Sequence, residues 1–246
     1  MEQSFEERLA AMEREVQRQA DYIAIANLMG RYQYLHTAGR MDRIGEELFA
    51  YDDPDARSEY GPLGVFGPEK SLQFFRDMTA RGSHGTGEID PGRLELHQIT
   101  TPVIEIAGDG QTAKAMWMST GAILIRGEQE SADGQCAKWD SGKYAVDFKK
   151  INGQWKIWHL HVCDLWRTDY DTNPVTNAGK APEGVTPAVL ADYQARVAAG
   201  ENLRPGGMPV PDGPTTSCYT YAVDSRASEG PLPPEPYETF SETFAY

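Results

Sequence analysis

Leu94–Ile125, LELHQITTPVIEIAGDGQTAKAMWMSTGAILI, decides how the rest of the chain folds. β-Branched and apolar residues flank Gly108-Asp109-Gly110, and Asp-Gly between such runs is a strong hairpin signal. Two arms of this length need a second layer to bury one face. His97, Gln98, Lys114 and Trp117 interrupt the arms. Polar interruptions of this kind fit a curved sheet that lines a cavity, so the hairpin is read as the floor of a pocket.

Working outward toward the C-terminus, Trp139 to Lys150 reads as a strand ending at Asn152-Gly153, the strongest turn signal in the chain. Gln154 to Trp166, QWKIWHLHVCDLW, supplies the fourth long strand. Gly127 to Lys138 is polar and reads as a loop. Beyond Arg167 lie eleven of the sixteen prolines, and only Thr186 to Ala199 has a helical pattern. That tail is too aromatic for a free linker and too proline-rich for a packed sheet, so an ordered arm wrapping this subunit or a neighbour is expected.

Toward the N-terminus, Phe5, Leu9, Met12 and Val16 recur at helical spacing between Glu and Arg residues. Asp21 stands where an N-cap belongs, and Tyr22, Ile25, Met29, Tyr32 and His36 form a second helical stripe ending at Gly39. Two consecutive helices are therefore expected, with Tyr32, Tyr34 and His36 candidates to reach a cavity. Met41 to Ala50 reads as a short helix and Ala56 to Tyr60 as a brief strand. Pro68 opens a helix through Arg81. The glycines of Gly61 to Gly67 match neither nucleotide-binding spacing, which removes a phosphate cradle.

Helices first and strands after them indicate α+β with a strongly bent antiparallel sheet. The expected layout is an N-terminal helix over residues 1–19, a domain over 20–166 and a proline-rich arm over 167–246. The 246 residues and 40% hydrophobic content suffice for a real core, and a formal charge of −14 argues against nucleic acid and anionic membrane as partners. No apolar export segment or membrane-length run occurs, and Cys136, Cys163 and Cys218 lack CxxC spacing, so a cytoplasmic protein with reduced thiols is expected.

The helix opening DYIAIANLMGRYQYLHTAG, the hairpin LHQITTPVIEIAGDGQTAKAMW and the closing FKKINGQWKIWHLHV together resemble the SnoaL-like branch of the nuclear transport factor two superfamily. That resemblance implies a cone of curved sheet and helices around a deep pocket. The long N-terminal helix and C-terminal arm are also similar to those of bacterial lyases that deformylate lignin-derived aromatic dimers. This looser resemblance implies a bulky phenolic substrate, no cofactor, and loss of water and formaldehyde.

Elimination without a cofactor needs proton carriers and flat walls for aromatic rings. His97 and Tyr60 are the expected proton-transfer groups, and Lys143 the group that steadies a phenolate. Tyr34, Arg76, Trp117, His159 and His161 are the expected substrate contacts. His159 and His161 share one strand face at a metal-ligand spacing, but no carboxylate third ligand is evident, so no metal is assigned. G-x-S-x-G and H-E-x-x-H are absent from the sequence. The rival readings are an isomerase, hydratase or dehydratase of a polycyclic or terpenoid substrate, and a non-catalytic ligand-binding or docking module. A homodimer or homotrimer is expected, because the back of a bent sheet needs cover.

Overall fold

The computed structural model describes residues 4–126, 135–177, 184–201, 209–216, 220–226 and 230–241. Helix α1 spans Phe5–Thr37, followed by a short helix α2, Met41–Arg43, and a π-helical turn, Ile44–Leu48. Strands β1 (Arg57–Tyr60) and β2 (Val65–Phe66) precede α3 (Pro68–Gly82). The long strands are β3 (Leu94–Ile106), β4 (Thr112–Arg126), β5 (Gln135–Ile151) and β6 (Gln154–Asp169). Short α4 (Pro174–Asn177) and α5 (Pro187–Ala198) follow.

The N-terminus is one helix, where two were expected. Asp21 is no N-cap: it lies mid-helix, 5% exposed. Its carboxylate accepts from Trp155 Nε1 and Lys150 Nζ, both at 2.8 Å, and from Gln17 at 3.1 Å. A buried charge with that many donors fastens the helix to the sheet, which is a tertiary reason for an Asp that local sequence could not supply. The boundary at residues 19 and 20 falls inside this helix.

The six strands form one sheet in the order β2-β1-β6-β5-β4-β3. Four pairings are antiparallel, but β1 runs parallel to β6, a departure from the all-antiparallel expectation. Register shifts at Thr100/Val103, Ser141/Gly142 and Asp147/Phe148 bend it. Residues 127–134 of the expected loop lie outside the described residues, and 135–138 belong to β5.

Alternation along the strands gives the sheet two different faces. The concave face carries Ile104, Ile106, Ala113, Ala115, Trp117, Tyr144, Val146, Phe148, Ile157 and Leu160, packed against Ile25, Met29 and Tyr32 of α1 and Phe75 of α3. Phe75 is fully buried, and truncating it to alanine would cost ~3–5 kcal/mol. The convex face carries Lys114, Lys143, Asp147, His159 and His161. The C-terminal arm lies across it: Lys114 Nζ donates to the Ser241 carbonyl at 3.3 Å and Lys143 Nζ to the Pro231 carbonyl at 3.1 Å. The arm thus covers its own subunit's sheet.

Candidate active site

At the open end of the concave face one row of neighbouring residues crosses four strands. His97 of β3 stands opposite Gly121 of β4, Gly121 opposite Asp140 of β5, and Asp140 opposite Arg167 of β6. Gly121 is required there. A Cβ on it would fall 1.7 Å from the Leu96 carbonyl oxygen, a clash with backbone that only a shift of β3 could relieve. With no side chain between them, His97 and Asp140 converge across the glycine, Nδ1 lying 3.9 Å from Oδ1. The other oxygen of Asp140 accepts from Arg167 Nε at 2.6 Å. Arg167 also lies 3.7 Å from Asp164.

Above this row is a cavity of about 350 Å³. The sheet contributes Glu95, His97, Ile123, Tyr144, Val162, Asp164 and Arg167. Tyr32 and His36 reach it from α1, and Tyr60, Pro62 and Phe74 form the opposite wall. Its size falls at the lower end of small-molecule sites, and its lining of apolar and aromatic walls with a few converging polar groups fits one. His36 and His97 meet edge to face with ring centroids 4.8 Å apart. Tyr60 stacks on Phe74 at 4.7 Å, and Tyr32 packs edge-on to Tyr144 at 5.8 Å.

The electrostatics follow from burial. Removal from water, reinforced by neighbouring His97, lowers His36 to about 4, so it is neutral at physiological pH. Burial pushes the phenols of Tyr32, Tyr60 and Tyr144 well above their ordinary range, leaving three hydroxyl groups that stay protonated. The Tyr60 hydroxyl, beside that of Tyr32, makes no well-formed hydrogen bond. Burial also raises Asp164, against the opposing pull of Arg167. Arg167 is itself disfavoured as a cation by burial, but Asp164 and Asp140 outweigh that and hold it above its ordinary value.

The structure brings together two of the expected residues, His97 and Tyr60, and places the others elsewhere. Lys143, His159 and His161 project from the convex face. Parity fixes this: Asp164 faces the cavity, so the two histidines preceding it at odd positions face away. His159 has Nδ1 2.8 Å from Asp147 and Nε2 3.1 Å from the Asp55 carbonyl, while His161 lies 3.9 Å from Glu59. His159 also packs against the Phe240 ring of the arm, with centroids 5.8 Å apart. Trp117 is on the concave face but sits deep in the core against Phe148, below the cavity. Tyr34 is 83% exposed on the outer side of α1. Arg76 forms an exposed ion pair with Glu46 at 2.8 Å. Solvent-facing positions suit both side chains, which explains why neither reaches the cavity.

Tyr32 and His36, expected to reach a cavity, do so, and Tyr144, Asp164 and Arg167 line it without having been expected there. Their signals were present but incomplete. His36 and Tyr32 share the helical stripe with Ile25 and Met29, whereas Asp164 and Arg167 become visible only once the inward parity of β6 is known.

The family model of the SnoaL-like domain matches residues 17–161. The chain belongs to the SnoaL-like domain family. Its matched region runs from the middle turns of α1 through the first half of β6, and so takes in the cavity lining except Val162, Asp164 and Arg167. No curated protein matches significantly. Among solved structures, the SnoaL-like chain is similar to a scytalone dehydratase candidate from Novosphingobium aromaticivorans, with 17% identity over 68% of this chain and 99% of that one, TM-score 0.49. It is also similar to a hexachlorocyclohexane dehydrochlorinase, LinA-type3, from Novosphingobium barchaimii (14% identity, 65% and 96% covered, TM-score 0.49). A nuclear transport factor 2-like protein from Salmonella enterica shares 20% identity over 63% of this chain and 99% of that one, with a TM-score of 0.42.

Proposed function

We propose that this SnoaL-like protein is a cofactor-independent lyase acting on a phenolic diaryl substrate with benzylic and neighbouring primary hydroxyl groups. The observation that carries the reading is His97, poised over an aromatic-walled cavity between Asp140 and a neutral His36. An elimination needs one group that carries a proton back and forth and surroundings that tolerate its charge. Asp140 offsets the charge of an imidazolium at His97, and His36, being neutral, adds no second positive charge beside it.

In the first step the phenolic O–H gives its proton to Asp164, whose raised affinity suits a base. Electrons from that oxygen flow through the ring and expel the benzylic hydroxyl, which takes a proton from His97 and leaves as water. A quinone methide remains. In the second step neutral His97 takes the proton of the primary hydroxyl. The carbon–carbon bond to that carbinol carbon breaks, formaldehyde departs, and the bonding pair returns through the conjugated system to the phenolic oxygen, which recovers its proton from Asp164. The net products are a stilbene, water and formaldehyde, with both residues restored. Tyr32, Tyr60 and Tyr144 supply neutral donors to the substrate oxygens, and Arg167 balances Asp164.

The test is incubation of the purified protein with a phenolic diarylpropanediol, following formaldehyde colorimetrically and the stilbene by fluorescence. Formation of both in equal amounts is expected. Water loss with all carbons retained would make the protein a dehydratase. Saturable binding with neither product would make the cavity a binding site only.

A further inference from the structure

Helix α1 carries two apolar stripes on opposite sides. At ~100° per residue, Ile25, Leu28, Met29, Tyr32 and His36 cluster on the side facing the sheet. Phe5, Leu9, Met12, Val16 and Ile23 lie roughly 180° away and are 78%, 46%, 65%, 66% and 60% exposed. Their spacing of four, three, four and seven is the a/d alternation of a heptad, with Gln19 at the one polar seam position. Further along the same side, Gly30 has nothing within 4 Å of where a Cβ would stand.

The first half of this helix has almost no tertiary support. From Phe5 to Ala20 every residue except Ala10 is exposed. What holds it locally is the capping box of Ser4 and Glu7 and the Arg18–Glu105 ion pair at 3.2 Å. An isolated helix of this length is marginal in water, and surface ion pairs add little. A four-turn helix with an unburied heptad seam is stable when a second helix covers it.

We propose that this seam pairs with the same seam of a second copy of the chain as a parallel two-stranded coiled coil. Charge selects both the occupant and the orientation. With Leu9, Val16 and Ile23 at a, and Phe5, Met12 and Gln19 at d, Arg8 occupies a g position and Glu13 the following e position. In a parallel pair Arg8 faces the partner's Glu13, twice by symmetry. An antiparallel pair with the same layers sets Glu13 against the partner's Glu13 and Glu15 against the partner's Glu15, which repel. The sheet packs on the opposite side of the helix, so the seam points away from the chain's own globular body. The seam from Phe5 to Ile23 is about 28 Å long at ~1.5 Å per residue, enough for more than two heptads of knobs-into-holes contact.

The test uses the full-length protein in sedimentation equilibrium with three variants. Met12→Glu with Val16→Glu is expected to halve the mass of the assembly while the far-UV signal of the sheet stays intact. Arg8→Glu should weaken the association, and Arg8→Glu with Glu13→Arg should restore it. Met12→Cys should give a disulfide-linked dimer under mild oxidation, since d-position side chains of a parallel pair face each other. Unchanged mass in the double glutamate variant, or failure of the charge reversal to rescue, would overturn the proposal.

Discussion

The two faces of the central sheet carry similar chemical groups and use them in opposite ways. On the concave face, His97, Asp140, Asp164 and Arg167 surround open volume, with His97 and Asp140 close but 3.9 Å apart. On the convex face, Lys114, Asp147 and His159 are 3% exposed and locked under the C-terminal arm, with Asp147 2.8 Å from His159 and 3.7 Å from Lys114. The Phe240 ring lies 4.3 Å from the Lys114 ammonium. A buried ionic cluster satisfied on all sides holds structure, whereas one beside a cavity retains a group free to exchange a proton with a ligand. The difference between the faces is a matter of space.

The largest expected effect comes from the concave side. His97→Gln keeps the shape and hydrogen-bonding capacity of the side chain but cannot carry a proton. Turnover of the diarylpropanediol should fall about 10²- to 10⁴-fold, the usual worth of a positioned acid–base group. The melting transition should hardly move. A variant retaining most of its turnover would place the proton transfer elsewhere in the cavity, with Asp164 the next residue to replace.

The convex side should answer in stability. Asp147→Ala removes the carboxylate facing both His159 and Lys114, and breaking a buried charge pair from one side costs about 3–5 kcal/mol. Chemical denaturation should show that loss. Amide exchange should rise at Tyr237 to Ser241, because the arm loses the charged surface on which it docks. Substrate affinity in the cavity should be unaffected, since no side chain of this cluster lines it. Loss of affinity matching the loss of stability would mean that the two faces are coupled through β5.

The same comparison explains what the sequence made legible. Turn chemistry and strand length fix the hairpin at Gly108-Asp109-Gly110, the Asn152-Gly153 turn and hence the antiparallel core. The resemblance of 20–166 to the SnoaL-like fold agrees with the family match over 17–161. The assignment of faces was not legible, because period-two alternation says which residues lie together but not which set faces inward. His159 and His161 were therefore grouped correctly and set in the wrong compartment, and Lys143 with them. Two bulges in β6, where Trp158 and Leu165 are the extra residues opposite β5, shift the parity along that strand, so extrapolation from one end misplaces the other. Tyr34 shows the complementary failure in a helix. Tyr32 and Tyr34 stand two residues apart, which puts them on different sides, and only the packing partner decides that Tyr32 is the inner one. Gly121 was unremarkable in sequence, since its role is to leave a gap between two residues far apart in the chain.

The smallest of the three effects tests the protonation state on which the concave site depends. In the folded chain His36 takes up a proton only near pH 4, whereas in the unfolded chain it does so near its ordinary 6.5. Between these values the unfolded chain binds a proton that the folded chain does not. Stability therefore falls as pH drops through that window and levels off below it. From pH 7 to pH 5 this one residue should lower the unfolding free energy by roughly 2 kcal/mol. The groups facing it are His97, Glu95 and Arg93, so the isolating measurement is the difference in pH slope between the parent protein and His36→Asn, taken by urea denaturation at each pH. A lower baseline in the variant does no harm to the comparison, because only the slope reports the proton. Parallel slopes would mean that His36 takes up its proton in the fold as readily as in the unfolded chain and is charged at pH 5. In that case it would repel an imidazolium at His97, and the elimination would need a different proton carrier.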